Sequence, residues 1–324
     1  MTYSSGLRLA VDIGGTFTDC VLVDAHNVIV STTKVPTTPH APALGALDGC
    51  VRIMETAGAD WQAVSGFIHG TTLATNALIE KRGARVATLT TQGFRDILEI
   101  AYERRYSQYD INIQKPDLLV PRALSFTVPE RLDVSGAVVQ ELDETAVPEL
   151  VDALRAASVD AVAICLLHAY ANPSHEQRLA ALLQAEIPTL SISISSDVSP
   201  EAREFDRLCT TIANAYIQPQ IASYLADFEQ RFANIGLQCP ILMMTAGGGM
   251  TTLETAARLP IRLVESGPAG GAILAAHLAQ ELGDTQVLSF DMGGTTAKLC
   301  LIDAFRPQTA RTFEVSRAAR FIKG

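Results

Sequence analysis

The sequence lacks several features that would assign it to a familiar class of protein. It has no apolar run long enough to span a membrane, and it does not begin with the charged and then apolar segments of a secretory signal. Its six cysteines include no CxxC pair, which disfavours a zinc site or disulfide framework and favours buried, reduced thiols. These absences predict a soluble, cytoplasmic protein.

Positive charge is also scarce in this chain. There are 25 Lys and Arg residues against 35 Asp and Glu, which gives a formal net charge of −10. Nucleic acids and anionic membranes carry negative charge, so we expect neither as a partner. The argument does not extend to a small anion such as a nucleotide, because the charge lining one cleft can differ from the total.

The chain has the length and apolar content for a large core. It has 324 residues, of which 48% are hydrophobic and 19% charged, and this composition excludes a disordered class. From residue 143 onward, short apolar runs alternate with helical patterns, which predicts a largely parallel α/β sheet. Residues 101–143 have low periodicity and several Tyr, Arg and Pro residues, so they are predicted to form an insertion outside the core.

The most informative stretch is Leu9–Asp24, which reads LAVDIGGTFTDCVLVD. Its two apolar runs predict buried antiparallel strands around a tight Gly14-Gly15-Thr16 turn. Adjacent glycines allow positive φ, and consecutive N–H groups in such a turn form a concave anion site. Asp12 ends the first strand, where a carboxylate can hold a hydrated Mg²⁺. The alternative is an ordinary hairpin with a capping aspartate.

The same pattern occurs a second time, 279 positions later. Residues 288–303 read LSFDMGGTTAKLCLID, and seven positions are identical in the two registers: Leu9/Leu288, Asp12/Asp291, Gly14/Gly293, Gly15/Gly294, Thr16/Thr295, Leu22/Leu301 and Asp24/Asp303. A repeat so far apart suggests that two lobes present matching loops to one ligand. Two such hairpins facing each other could hold the phosphates of a nucleotide.

These motifs resemble known phosphate loops. DIGGTFTD and FDMGGTT are similar to the two phosphate loops of the actin, sugar-kinase and heat-shock-chaperone ATPase superfamily. The chain further resembles the A-type subunit of the ATP-dependent hydantoinase/5-oxoprolinase family, which includes subunits of acetone and acetophenone carboxylases. The motifs that carry this closer resemblance are HGTTLATNALIEKRG (69–83), GFRDILEI (93–100), SSDVSPEAREFDR (195–207) and ESGPAGG (265–271).

The resemblance implies a fold and a domain division. The expected fold class is α/β, an actin-like ATPase (ribonuclease H-like) lobe with a mixed sheet flanked by helices. Residues 1–284 would form this lobe, with the insertion at about 101–143, and residues 285–324 would begin a truncated second lobe. Family A-type subunits are about twice as long, so we expect a missing C-terminal half to be one partner of this chain.

The resemblance also implies a set of site residues. Mg-ATP is expected between the two loops, bound by Gly14, Gly15, Thr16, Asp291, Gly293, Gly294, Thr295 and Lys298. The expected Mg²⁺ ligands are Asp12, Asp19 and Asp291. The catalytic candidates are Asp12, Glu265 and His69, with Glu265 orienting water or metal and His69 contacting substrate or phosphate.

Three of these assignments have open alternatives. His69, at a strand-to-helix junction, could instead tie down the turn by bonding to backbone. Glu265 could instead stabilise the dipole of the following helix. Lys298 stands where many superfamily members have an aspartate, so it could pair with the γ-phosphate or point into solvent.

By the same resemblance, the expected function is that of a subunit in a hetero-oligomeric, ATP-dependent enzyme. The γ-phosphoryl group would activate a carbonyl or amide oxygen of a small-molecule substrate, and a B-type hydantoinase/oxoprolinase subunit would complete the reaction. The first choice of reaction is ring opening of an N-methylhydantoin- or 5-oxoproline-like amide. The alternatives are carboxylation of a ketone such as acetone or acetophenone, a small-molecule kinase, and a non-catalytic scaffold lobe.

Overall fold

A computed structural model describes residues 6–103, 109, 111–112, 117–292 and 297–310. Its strands are β1 (Leu7–Ile13), β2 (Phe17–Val23), β3 (Ile29–Pro36), β4 (Val64–Thr71), β5 (Val86–Thr91), β6 (Ser125–Val128), β7 (Arg131–Leu132), β8 (Val138–Gln140), β9 (Ala161–Cys165), β10 (Ser191–Ile194), β11 (Ile241–Met244), β12 (Met250–Thr252), β13 (Gln286–Met292), β14 (Ala297–Asp303) and β15 (Arg306–Pro307).

The α-helices lie between groups of these strands. They are α1 (Pro42–Ala57), α2 (Leu73–Ile79), α3 (Ile97–Ile100), α4 (Val147–Ala156), α5 (Ser174–Glu186), α6 (Ser195–Val198), α7 (Glu204–Asn234), α8 (Leu253–Arg258) and α9 (Ser266–Leu282). No helix within the described ranges is long and apolar enough to cross a membrane.

The described residues form two compact units. The first contains those of 1–76 and 221–311, and the second contains those of 77–220. The boundary expected after residue 284 does not separate these units, and it stays a prediction.

The first unit is built on a six-stranded mixed sheet with the order β12-β11-β4-β1-β2-β3. β1 and β2 form the predicted antiparallel hairpin, and β4 pairs with β1 in parallel. Alternate side chains of β1, from Leu7 to Ile13, are buried because this strand lies inside the sheet and α1 packs against it. The sheet therefore holds the end of β1, and with it Asp12, between two paired neighbours.

A second antiparallel hairpin, β13 and β14, belongs to the same unit. Asp12 pairs with Asp19 in the first hairpin, and Asp291 pairs with Lys298 in the second, so both hairpins share one register across the 279-residue repeat. The loop between β13 and β14, with Gly293, Gly294 and Thr295, lies outside the described residues.

One face of this second hairpin carries large apolar side chains in solvent. They alternate along the strands, and they are Leu288, Phe290, Met292, Leu299 and Leu301, each more than half exposed. The other face of the hairpin packs against α9.

The second unit is built on a wholly parallel sheet with the order β10-β9-β5-β6, as the alternation of strands and helices predicts. The structure differs from the sequence prediction at β6, which lies within residues 101–143. β6 pairs with β5 as a sheet strand, and its first and last residues, Ser125 and Val128, are buried.

A buried polar network ties together the loops that follow these strands. Arg207 is fully buried, and its guanidinium donates to Ser195 Oγ at 3.0 Å and to the Leu166 carbonyl at 2.9 Å. Ser195 Oγ in turn donates to the carboxylate of buried Glu176 at 2.6 Å, and Glu176 also accepts from the Leu166 N–H at 2.9 Å. These bonds satisfy charges that could not be buried alone.

Candidate functional site

Asp12 lies at the end of β1, directly opposite Asp19 on β2. Part of its side chain is open to solvent, yet the pKa of its carboxyl is raised, first because the surrounding protein excludes water. The negative charges of Asp19 and Asp291 raise the pKa further, and Lys34 lowers it. A carboxylate that is disfavoured in this way is stabilised by an arriving cation.

The Gly14–Thr16 turn is fixed by Thr37. The Thr37 hydroxyl donates to the Gly14 carbonyl at 2.8 Å, and the Thr37 N–H donates to the Thr16 carbonyl at 2.9 Å. The turn itself is closed by a bond from the Gly14 N–H to the Phe17 carbonyl at 3.0 Å. Gly15 and Thr16 are exposed at its tip, so the turn offers a rigid, accessible backbone to a ligand.

Gly70 gives Asp12 its space, a role that the sequence analysis did not identify. It lies opposite Asp12 in the parallel pair of β1 and β4. A Cβ at Gly70 would stand 2.9 Å from Asp12 Oδ1, too close without displacement. The sequence contains this glycine in the HGTT motif. Its role becomes clear only when the pairing of β1 and β4 shows that Asp12 lies beside it.

We expect Gly70→Ala to displace the Asp12 carboxylate and to weaken Mg-ATP binding roughly tenfold, the lower end of the cost of losing a supporting group at a metal site. Gly66→Ala is the matched control on the same strand, because its Cβ would lie 3.7 Å from Arg8 Cγ, an ordinary contact. Isothermal titration of both variants checks this. Equal affinities for the two variants would contradict it.

Asp19, expected to bind Mg²⁺, has a cationic neighbour. Lys34 on β3 places its Nζ 2.6 Å from the Asp19 carboxylate, and the two residues pair directly across β2 and β3. Both side chains are about half exposed, so the ion pair is weak and can yield to a stronger ligand.

Lys298, on β14 of the second hairpin, pairs with another residue of this chain rather than pointing into solvent. Its ammonium forms an ion pair with the carboxylate of Glu265, the residue directly before α9. The Glu265 side chain makes no capping hydrogen bond to this helix. Burial lowers the pKa of Lys298.

His69 lies inside the first unit rather than at an accessible surface. It is fully buried and stacks on Phe228 with ring centroids 4.4 Å apart. Its Nδ1 lies 3.3 Å from the Val11 carbonyl and its Nε2 lies 2.6 Å from Tyr224 Oη. The carbonyl can only accept, so Nδ1 donates and Nε2 accepts from the tyrosine. This geometry corrects the prediction of substrate contact: the ring bonds to backbone, as in the alternative, but to the Val11 carbonyl of β1 rather than to the turn.

The burial of His69 predicts acid sensitivity. Desolvation lowers its pKa from 6.5 to about 4, so the folded state holds the ring neutral while the unfolded state takes up a proton below 6.5. Stability from this group is thus lost as pH falls from 6.5 toward 4, by about 3 kcal/mol at most. Denaturant unfolding at pH 7 and 4.5 checks this against His69→Gln, which does not titrate. The same loss in both proteins would contradict it.

The charges around the two hairpins suit a divalent cation. Four carboxylates, Asp12, Asp19, Glu265 and Asp291, face two ammonium groups, Lys34 and Lys298, which leaves two negative charges. No cluster of three metal-binding side chains is present in the part of the chain that the structure describes. Mg²⁺ commonly takes one or two carboxylates and completes its shell with water and substrate phosphates. The residues present therefore fit an ion that arrives with a nucleotide.

Comparisons with known proteins identify the family of this chain. Residues 8–187 match the hydantoinase/oxoprolinase N-terminal region, and residues 207–321 match the hydantoinase/oxoprolinase family. The caprolactamase subunit alpha of Pseudomonas jessenii is 35% identical over 300 residues, which cover 91% of this chain and 43% of that protein. The 5-oxoprolinase of Saccharomyces cerevisiae is 29% identical, over 90% of this chain and 25% of that protein.

Solved structures also match this chain over most of its length. The nucleotide-free structure of acetone carboxylase matches with a TM-score of 0.82 at 27% identity, covering 92% of this chain and 44% of that chain. The ATP-dependent caprolactamase of Pseudomonas jessenii matches with a TM-score of 0.80 at 34% identity, covering 91% and 43%. The expected α/β actin-like ATPase fold class is confirmed. The chain spans less than half the length of these relatives.

Proposed function

The chain belongs to the hydantoinase/oxoprolinase family, and we propose that it forms the phosphate-binding part of an ATP-dependent enzyme that opens cyclic amides. The observation that carries this proposal is the pair of hairpins in one register, with Asp12 and Asp291 at equivalent strand ends. The charge of Asp291 raises the pKa of Asp12, so the two strand ends act on each other. Caprolactam and 5-oxoproline, in the names of two relatives, are both cyclic amides.

In this proposal each hairpin has its own task. The N–H groups of Gly15 and Thr16, at the exposed tip of the turn, donate to the phosphates, while the Gly14 N–H, bonded to the Phe17 carbonyl, keeps the turn rigid. Asp12, Asp19 and Asp291 would hold a hydrated Mg²⁺ through its bound water, and the ion would neutralise phosphate charge. Lys298 adds a positive charge beside the terminal phosphate. Gly293, Gly294 and Thr295, outside the described residues, are proposed to repeat the first turn.

The proposed chemical step begins with phosphoryl transfer from ATP to the substrate amide. The amide oxygen of the substrate attacks the γ-phosphorus, the bond to the bridging β–γ oxygen breaks, and ADP leaves. Water then adds to the activated carbonyl carbon, and the ring C–N bond breaks with the amine as leaving group, which leaves an acyl phosphate. A second water hydrolyses the acyl phosphate to the carboxylate and inorganic phosphate. Glu265 is proposed to orient water or the hydrated metal. Most of the rate gain in such a step comes from positioning and charge stabilisation.

Two kinds of partner are proposed. Several relatives are subunits by name, namely caprolactamase subunit alpha, acetophenone carboxylase gamma subunit and acetone carboxylase beta subunit. We therefore propose a hetero-oligomer with a B-type subunit and with the C-terminal region that the longer relatives have. Carboxylation of a small ketone is the second candidate, favoured by the structural match to acetone carboxylase.

Calorimetric titration of Mg-ATP into the 324-residue chain tests the nucleotide site. We expect binding that Asp12→Asn weakens about 100-fold and that Asp48→Asn, at an exposed aspartate on α1, leaves intact. A folded chain without affinity for Mg-ATP would argue for the scaffold alternative. With a B-type subunit added, ADP release dependent on a lactam supports the hydrolase, and release dependent on ketone and bicarbonate supports the carboxylase. Release without a partner supports a kinase.

A further inference from the structure

The second strands of the two hairpins carry opposite charges at equivalent positions. Asp19 on β2 and Lys298 on β14 occupy the same register relative to Asp12 and Asp291. Each is neutralised by a residue from another element, Asp19 by Lys34 and Lys298 by Glu265. The two hairpins are therefore alike in backbone register, but their second strands present opposite charges at equivalent positions.

Glu265 is held in an unusual backbone conformation. Its φ of 71° lies in the left-handed region, which a residue with a side chain seldom adopts. Its N–H donates to Thr75 Oγ1 at 3.1 Å, and Thr75 is buried, so this bond helps to fix the conformation. Such conformations persist where the surrounding structure imposes them, and they are found often at functional sites.

The Glu265 side chain is aimed at the second hairpin. Although the start of α9 favours a carboxylate, Glu265 makes no capping bond and pairs instead with Lys298. The side chains of Lys298 and Glu265 are 28% and 22% exposed, so the pair is open to a ligand from solvent. Asp291 lies beside it on the paired strand.

We infer that the Glu265 carboxylate and the γ-phosphate of ATP compete for the ammonium of Lys298. This inference rests on the proposed function. Without nucleotide, Lys298 binds the Glu265 carboxylate. When a terminal phosphate arrives, the ammonium pairs with it, because a phosphate offers more negative charge than one carboxylate. Glu265, still fixed by its backbone, is then free to accept a hydrogen bond from water.

The exchange has a measurable signature. Glu265→Gln removes the competitor, so it should tighten Mg-ATP binding about threefold to fivefold, the range that a partly exposed ion pair accounts for. Mg-ADP lacks the γ-phosphate, so Glu265→Gln should not change its affinity. Lys298→Met should weaken Mg-ATP binding about tenfold or more, and Glu265→Gln should have no further effect in that background.

The experiment is a calorimetric double-mutant cycle on the 324-residue chain with Mg-ATP and Mg-ADP. Glu281→Gln is the control, because it removes a carboxylate from the far end of the same helix. Tightening for ATP alone, lost in the Lys298→Met background, supports the inference. Equal tightening for both nucleotides, or an effect that persists without Lys298, overturns it and leaves the proposed function standing. Wild-type protein that binds neither nucleotide overturns both.

Discussion

Asp12→Asn is expected to weaken Mg-ATP binding by about 100-fold while raising the midpoint of thermal unfolding of the free protein. The loss of affinity follows because Asn cannot supply the negative charge that a hydrated Mg²⁺ requires, and even supporting groups at metal sites contribute up to about that factor. The gain in stability follows because the protein around Asp12, together with Asp19 and Asp291, raises the pKa of its carboxyl.

The expected gain in stability depends on pH. A carboxyl with a raised pKa contributes stability below its unfolded value of 3.8 and loses that contribution as pH rises through the folded value. The advantage of Asp12→Asn should therefore be present at pH 7 and vanish near pH 3. Thermal scans at the two pH values, with titrations at pH 7, check both halves. A variant less stable than wild type at pH 7 would show that the charge of Asp12 supports the fold.

Arg207→Met is expected to destabilise the second unit by about 3 kcal/mol or more, the cost of removing one member of a buried charged network. The guanidinium donates to the carbonyls of Leu166 and Glu201 and to Ser195 Oγ. Methionine fills a similar volume but leaves these acceptors without a donor, and buried unpaired polar groups are costly. Glu176 would also lose the positive charge of Arg207, to which Ser195 connects it.

Urea unfolding followed by circular dichroism measures this change. Arg178→Met on α5 is the matched control, because Arg178 is more than half exposed and pairs with Glu144 at the surface. That control should lose no more than about 1 kcal/mol. If the two variants lost the same stability, the buried network would have no particular role. Arg207→Lys should restore little, since one ammonium cannot replace the planar set of donors.

Much of the fold could be predicted from local pattern. The Gly-Gly turns and the apolar runs beside them predicted both hairpins, and the 279-residue repeat predicted their common register. The parallel sheet of the second unit followed from alternating strands and helices. β6 was not predicted, because it has only four residues within a stretch of low periodicity and its partner β5 lies more than 30 residues earlier.

The site was less predictable, because its meaning depends on contacts between distant residues. A histidine before two threonines indicates a cleft residue, but Tyr224, 155 positions away, engages its ring inside the first unit. The role of Gly70 depends on Asp12 on the neighbouring strand. The partner of Lys298 comes from a different element, and no spacing in the sequence indicates it. Residue types therefore predicted the class of chemistry, while packing determined which side chains are available for it.

The apolar face of β13 and β14 has a practical consequence for work in solution. Five large side chains, including Phe290 and Leu299, stand side by side on one sheet surface. Patches of this kind bind hydrophobic dyes and one another, and salts such as sulfate strengthen the attraction. The chain prepared by itself is expected to self-associate with rising concentration. Sedimentation at several concentrations should therefore precede any titration. If self-association covered the second hairpin, the lost nucleotide binding would be misread as absence of a nucleotide site.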